Sequence, residues 1–156
     1  MYSFQNRQKR DSEKYQMLFR KFSHFPNCLG AIDGKNIIVT KFPRSGSMNL
    51  NNKCYFSIVL MKIANSDYKF IYVDIGAYEK DCNSSVFQET SFFKLLIRNK
   101  LHIPPSGPLF TNDIENFPFV FVGDVAFSFS ENFMQPYAGH NLSEKQRIFN
   151  YRLCRA

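Results

Sequence analysis

The sequence predicts one α+β domain in which a mixed β-sheet is flanked by helices, mainly because of the order of its apolar segments. Three segments with strand propensity follow one another, separated by turn residues, and a segment with helical spacing comes next. A further strand and a final helix complete an order that suits an antiparallel meander followed by a helical crossover. The predicted elements are strands at 29–40, 54–64, 68–75 and 118–123, a helix at 84–99, and a helix that begins after Ser143.

Turn and cap residues support these boundaries. Residues 65–67 are Asn-Ser-Asp, which predicts a tight hairpin turn between the second and third strands. Residues 104–108 contain three prolines, so a stiff loop is expected after the first helix. Ser143 and Gln146 have the spacing of a capping box, which marks the start of the final helix.

Length, composition and charge restrict the classes of protein. The chain of 156 residues is long enough for one core but too short for two independent domains. It has 18 Phe and 8 Tyr, and 44% of its residues are apolar, which excludes an intrinsically disordered chain. The formal net charge of +7 suits a polyanionic partner such as nucleic acid, although proteins that bind no nucleic acid also reach such an excess.

Residues 1–24 form a polar and basic segment ahead of the predicted domain at 25–156. Apolar residues at helix-like spacing predict a short amphipathic helix at 12–22, which would pack on the domain core. A basic arm that contacts DNA is the alternative interpretation of the same segment.

Cysteines and histidines give no sign of a zinc site. The four cysteines and three histidines are scattered along the chain without metal-ligand spacing. We expect the thiols to be reduced, as in a cytosolic or nuclear protein. The first ten residues lack the apolar stretch of a signal peptide, and no apolar run is long enough to span a bilayer, so no membrane association is expected.

Two carboxylates stand out because each adjoins an apolar strand and a glycine. Asp33 lies within an apolar run and precedes Gly34, and Asp124 follows four apolar residues and Gly123. A carboxylate beside a buried strand is costly unless hydrogen bonds, a cation or a metal ion offset the burial. On paired strands, the two aspartates could bind one divalent metal ion. Spacing alone favours the plainer interpretation, in which Asp33 begins a turn and Asp124 merely ends a strand.

Four blocks of the sequence carry a resemblance to a known family. They are FPNCLGAIDGK, SGSMNLNNKCYFSIVLMKIANSDYKFIYVDIGAY, FVFVGDVAF and MQPYAGHNLSEKQRIFNYRLCRA. In this order they resemble successive blocks of the Harbinger-type transposase nuclease family, over roughly residues 25–156. The resemblance implies an RNase H-like fold and a DDE-type endonuclease domain. In such a domain, two aspartates and a third acidic residue bind divalent metal for strand cleavage and transfer in DNA.

The resemblance also assigns roles to individual residues. Asp33 and Asp124 match the first two acidic residues of the family, so they are expected to be catalytic residues and metal ligands. The implied cofactor is Mg²⁺ or Mn²⁺, because these ions prefer carboxylate oxygens. DNA is the implied substrate, and a separate DNA-binding protein is an implied partner. The implied location is the nucleus, and the cytoplasm is a further possible location.

Two departures from the family pattern lower the expected activity. The third acidic residue of the family is a glutamate downstream of the Phe-Asn-Tyr-Arg-Leu block, and this chain ends at Ala156, before that position. Asn83 stands where the family commonly has an aspartate. The predicted RNase H-like domain is therefore C-terminally incomplete, and weak or absent activity is expected. A domesticated, non-catalytic domain that binds DNA or protein is the alternative.

Basic residues near these blocks are candidate contacts to DNA phosphates. Arg147, Arg152 and Arg155 fall on the predicted final helix, which lies by the active site in the family. Lys35 follows Asp33 on the first predicted strand. A solvated rim is the alternative interpretation of Lys35, because exposed basic side chains need no ligand.

Overall fold

The structure is a computed structural model that describes residues 25–41, 54–78, 83–101, 103–110, 113–127 and 130–156. The basic N-terminal segment and its predicted helix at 12–22 lie outside these residues. In the described part of the chain, a five-stranded mixed sheet and three helices form an α+β fold, which confirms the predicted fold class and is compatible with an RNase H-like fold.

The main sheet combines an antiparallel meander with two parallel strands. β1 (Cys28–Ile38), β2 (Ser57–Ala64) and β3 (Phe70–Tyr78) form the meander that the sequence predicts. β4 (Gly107–Pro108) and β5 (Asn116–Phe117) form a separate hairpin. β6 (Val120–Val122) lies parallel to β1, and β7 (Phe133–Met134) lies parallel to β6. The strand order in the main sheet is β3–β2–β1–β6–β7.

Three helices accompany the sheet in the described residues. They are α1 (Asn83–Glu89), α2 (Ser91–Ile97) and α3 (Glu144–Leu153). The predicted capping box at the start of α3 is confirmed, because the Ser143 and Gln146 side chains each accept a hydrogen bond from the other residue's backbone N–H. None of the described helices is long and apolar enough to cross a membrane.

The core is divided between the two faces of the main sheet, because side chains alternate along each strand. On the first face, Met61 of β2 packs in one cluster with Phe87 of α1 and Phe92 of α2. On the second face, Val122 of β6 packs in another cluster with Leu153 of α3. Each fully buried side chain of this size contributes about 1.5–3 kcal/mol. Below, the sheet face that packs against α1 and α2 is called the first face, and the sheet face that packs against α3 is called the second face.

The predicted single helix at 84–99 is wrong, because Thr90 divides it into α1 and α2. Thr90 is extended, with φ −61° and ψ 149°, and its side chain accepts a hydrogen bond from the Phe93 N–H as the N-cap of α2. The Thr90 hydroxyl also donates to the Phe87 carbonyl, at 2.6 Å. One buried threonine thus satisfies backbone groups at both helix ends, which a continuous helix would not require.

The turn between β2 and β3 is wider than the predicted tight hairpin. The side-chain oxygen of Asn65 accepts hydrogen bonds from the backbone N–H groups of Asp67 and Lys69, both at 3.0 Å. Tyr68 has a positive φ of 59°, so β3 begins at Phe70 and not at Tyr68. These side-chain bonds add to the backbone bonds of the turn, from the Tyr68 N–H to the Asn65 carbonyl at 3.0 Å and from the Asn65 N–H to the Lys69 carbonyl at 2.9 Å.

Two elements were not predicted from the sequence. The β4–β5 hairpin begins within the proline-rich segment that we expected to be only a loop, and β7 lies between the last two predicted elements. Strands of two residues carry no periodic pattern, so tertiary pairing alone reveals them. The fourth predicted strand, at 118–123, is confirmed in its central part as β6.

Candidate metal and DNA site

Asp33 and Asp124 lie at the same level of two neighbouring parallel strands. Ala31 of β1 pairs with Val122 of β6, and each aspartate follows its paired residue by two positions. A two-residue step keeps a side chain on the same face of a sheet. Ala31 and Val122 both pack in the second-face cluster, so Asp33 belongs to the second face, and Asp124 lies two residues beyond the last residue of β6. The predicted adjacency of the two strands is confirmed.

The glycine beside each aspartate provides space on the first face. A Cβ atom at Gly123 would lie 2.8 Å from Cζ of Phe133 and 3.3 Å from the carbonyl oxygen of Ile32. A Cβ atom at Gly34 would lie 2.7 Å from Oδ1 of Asn83. Asn83 therefore packs against β1 on the face opposite to Asp33. The interpretation in which Asp33 begins a turn is wrong, because β1 continues through Gly34.

Asp33 forms an ion pair with its neighbour across the meander. Lys62 of β2 is the direct partner of Asp33 in the strand register, and its Nζ lies 3.1 Å from Oδ2 of Asp33. The Asp33 side chain is 60% exposed and the Lys62 side chain is 23% exposed. An ion pair at this exposure contributes about 0–1 kcal/mol, so it neutralises Asp33 without adding much stability.

Asp124 is the first residue of a turn that follows β6. Its Oδ1 accepts a hydrogen bond from the Ala126 N–H at 2.7 Å, and its carbonyl oxygen accepts from the Phe127 N–H at 3.3 Å. These bonds fix the side chain at the strand end while leaving the residue exposed. The plainer interpretation of the sequence expected Asp124 to end a strand; in the structure β6 ends two residues earlier, at Val122, and Asp124 starts a turn.

The two carboxylates fit a divalent metal ion only in part. Both are exposed, follow neighbouring parallel strands and offer the hard oxygen ligands that Mg²⁺ and Mn²⁺ prefer. Among the described residues, no group of three or more His, Cys, Asp or Glu side chains could hold a metal ion. Asp33 and Asp124 would therefore supply part of a ligand set, and Lys62 would compete with the ion for Asp33.

The predicted DNA contacts fall in two different regions. Lys35 is exposed and follows Asp33 by two positions along β1, so it shares the face of Asp33. Arg152 lines a mostly apolar cavity beside Phe149 on α3. The structure thus brings Lys35 to the aspartates and assigns Arg152 to a separate environment.

The other two predicted arginines bond within their own segment. Nε of Arg147 donates a hydrogen bond to the Leu142 carbonyl at 3.1 Å, near the start of α3. Nη1 of Arg155 donates to the Tyr151 hydroxyl at 2.8 Å, and its guanidinium lies over the Tyr151 ring. Because α3 ends at Leu153, Arg155 lies beyond the helix on which the sequence placed it.

Sequence reasoning missed two residues that shape the region. Lys62 interrupts an apolar strand, and that interruption was the available signal for a partner to Asp33. Asn27 is 1% exposed with a positive φ of 56°, and its amide donates to the carbonyls of Gly107 and Phe117, both at 3.1 Å. No local pattern indicates this role, because the two carbonyls are distant in sequence.

Comparisons with known proteins give one informative similarity. No protein-family model matches the chain, and no solved structure matches it. The chain is 29% identical over 136 residues to a protein described as "Protein ALP1-like" from Arabidopsis thaliana. The match covers 86% of this chain but 33% of the relative, so the chain spans about a third of the length of that protein. This similarity supports a distant relationship between the two proteins.

Proposed function

We propose that this chain supplies part of a DDE-type, metal-dependent endonuclease domain of transposase origin that acts on DNA. The observation that carries the proposal is that Asp33 and Asp124 each lie two residues after the paired residues Ala31 and Val122 of adjacent parallel strands. The Harbinger-type sequence blocks and the distant similarity to the ALP1-like protein support the same family.

In this proposal each residue has a defined task. Asp33 and Asp124 would hold Mg²⁺ or Mn²⁺, and the bound ion would polarise phosphate oxygens and acidify a bound water. The pairing of Ala31 with Val122, two residues before each aspartate, supports this assignment. Lys35, on the same face as Asp33, would contact a DNA phosphate, as Arg155 would beyond the end of α3.

The proposal includes a nuclear location and a separate DNA-binding protein. That partner would supply sequence recognition, since phosphate contacts carry no information about base sequence.

The metal site can be tested by Mn²⁺ titration of the purified chain, followed by paramagnetic broadening of backbone NMR signals. We expect broadening centred on residues around Asp33 and Asp124, and we expect each of Asp33→Asn and Asp124→Asn to reduce it. The matched control is Asp67→Asn, in the β2–β3 turn, which should leave the broadening unchanged. Broadening that survives both site substitutions, or that is centred elsewhere, would refute the assigned metal ligands.

Activity and DNA binding need separate assays. Because no group of three metal-binding side chains is found among the described residues, residues 1–156 are expected to show no appreciable nicking of duplex DNA in Mg²⁺ or Mn²⁺. Weak DNA binding should persist, because the chain has a net charge of +7. Its affinity should fall steeply between low and physiological salt, because basic side chains that contact DNA phosphates release counterions from the DNA. Metal-dependent nicking that Asp124→Asn abolishes would show that two carboxylates suffice.

The second candidate function is a non-catalytic domain that binds DNA or protein. The ion pair between Lys62 and Asp33 favours it, because an ammonium group 3.1 Å from Oδ2 neutralises one of the two carboxylates. Retained DNA binding without any Mn²⁺ binding, both in the wild-type chain and in Lys62→Met, would favour this second candidate. Metal binding that appears only in Lys62→Met would instead show a latent metal site.

A further inference from the structure

A cavity of about 290 Å³ lies beside α3, at the amino ends of β1 and β6. Residues 25–27, which precede β1, and residues 117–118, which precede β6, form part of its lining. Asp33 and Asp124 lie towards the carboxyl ends of the same two parallel strands. The cavity is therefore at the opposite end of the β1–β6 pair, and it is separate from the candidate metal site.

The cavity wall is mostly apolar and partly open to solvent. Phe25 packs edge to face against Phe149 of α3, with ring centroids 5.7 Å apart, and both rings line the cavity. Three further apolar residues of the lining remain substantially exposed: Phe117 is 37%, Ile148 is 45% and Phe110 is 50% exposed. Covering such apolar surface is favourable by about 25 cal/mol per Å², so an apolar side chain would gain by entering.

The same cavity is bordered by positive charge. Lys145 and Arg152 of α3 are exposed and line the cavity together with Ile148, which lies between them on the same side of the helix. Within the described residues, neither cation forms a salt bridge and no acidic side chain lines the cavity. A ligand for this site therefore combines an apolar group with flanking negative charge.

We propose that this cavity binds an aromatic side chain presented by an acidic segment of a partner protein. Pockets for small molecules start at about 300 Å³, so the volume here suits one buried aromatic anchor and not a larger ligand. Aromatic anchors in desolvated pockets carry much of the affinity of protein interfaces, and charges at the rim add steering and selectivity.

Charge separates this occupant from the basic alternatives. Residues 1–24 contain six Lys or Arg and two Asp or Glu, so the chain's own N-terminal segment does not complement the charge of Lys145 and Arg152. A second copy of the chain, with a net charge of +7, is also not complementary. An acidic segment of another protein is the complementary partner.

A nucleobase fits the cavity less well than an aromatic side chain. Reading a base requires polar groups that can bond to its edge. The Asn27 amide, which lines the cavity, already donates to the Gly107 and Phe117 carbonyls. The cavity also lies at the amino end of the β1–β6 pair, away from the two aspartates. The proposal does not depend on the nuclease activity, and it survives if that activity is absent.

Fluorescence anisotropy with a labelled acidic heptapeptide that carries one central phenylalanine tests the proposal. Replacing that phenylalanine by alanine should weaken binding at least tenfold, because the anchor is lost. The double substitution Lys145→Glu and Arg152→Glu should also weaken binding at least tenfold. The matched control is Arg98→Glu with Lys100→Glu at the end of α2, which makes the same change in net charge and should weaken binding less than threefold.

NMR mapping on the wild-type chain provides an independent measurement that needs no variant. The phenylalanine peptide should shift signals of Phe117, Ile148 and Phe149. Equal binding of the alanine peptide, or equal weakening in the control variant, would reduce the effect to surface charge and overturn the proposal. It would also be overturned if oligothymidylate, and not the peptide, shifted the three cavity residues.

Discussion

The β1–β6 strand pair has two ends with opposite properties. At the carboxyl end, Asp33 and Asp124 are exposed, and a lysine and a turn N–H satisfy their carboxylates. At the amino end, the Asn27 side chain is buried and bonded to the β4–β5 hairpin, next to an apolar cavity. Exposed polar side chains can be substituted at little cost in stability, whereas buried, hydrogen-bonded ones cannot. The carboxyl end is thus available for chemistry, and the amino end supports the fold.

The largest effect is expected at the amino end, for Asn27→Ala. The substitution leaves the carbonyls of Gly107 and Phe117 without their amide donor. It also places an alanine at a φ of 56°, a backbone conformation that alanine adopts less readily than asparagine. We expect the free energy of unfolding to fall by about 2–4 kcal/mol. Urea denaturation measures this, with Asn141→Ala at an exposed position as the control. A loss below about 0.5 kcal/mol would show that the amino end does not support the fold.

Gly123→Ala would sharpen the comparison, because it tests a buried position at the carboxyl end. The added Cβ would lie 2.8 Å from a Phe133 ring atom and 2.9 Å from a Phe127 ring atom, so both rings must shift. We expect a loss of about 1–3 kcal/mol in unfolding free energy. The control is Gly107→Ala, where the added Cβ would lie at an ordinary contact distance of 3.7 Å from the nearest Phe119 ring atom. A neutral Gly123→Ala would show that the first face under Asp124 is loosely packed.

The Cys28 thiol gives the amino end a pH dependence. Burial raises the pKa of Cys28 from 9.0 to about 12, so the unfolded chain ionises at a lower pH than the folded chain. The contribution of the neutral thiol is fully present below pH 9 and is lost as the pH rises towards 12. At pH 10 the unfolding free energy should therefore be lower than at pH 8 by about 1 kcal/mol. This part of the pH dependence should vanish in Cys28→Ala and persist in Cys54→Ala, which changes an exposed thiol.

The smallest effect on stability is expected at the carboxyl end, for Lys62→Met. The ion pair with Asp33 is exposed, so the unfolding free energy should change by less than about 1 kcal/mol. Removing the competing ammonium should strengthen Mn²⁺ binding several-fold, as measured by calorimetry. Lys69→Met, in the β2–β3 turn, makes the same charge change away from Asp33 and should leave the affinity unchanged. A large loss of stability in Lys62→Met would contradict the division between the two ends.

Much of the fold could be predicted because its longer elements have a clear pattern. The β1–β3 meander, the central part of β6 and the capped start of α3 all follow from periodicity and from turn or cap residues. The division of the predicted helix at Thr90 could not be predicted, because apolar spacing continues across it. Whether Thr90 caps a helix or sits within one depends on its burial and on the Phe87 and Phe93 backbone groups near it.

The candidate site was predictable in its residues but not in its surroundings. Asp33 and Asp124 attract attention in the sequence because each interrupts or ends an apolar strand beside a glycine. The metal and catalytic roles of these two aspartates stay predictions, as do the DNA contacts and the domain boundary near residue 24. Lys62 was overlooked, because its position opposite Asp33 depends on the register between β1 and β2.

The sequence by itself determined the α+β class, the meander and the two aspartates, because local propensity and alternation act over a few neighbouring residues. Only the tertiary structure decided which groups meet. Parallel pairing of β1 with β6 brings Asp33 and Asp124 to one level, and the Asn27 amide joins the start of β1 to a hairpin far along the chain. Such contacts depend on strand register and burial, and both are properties of the packed sheet that no local segment encodes.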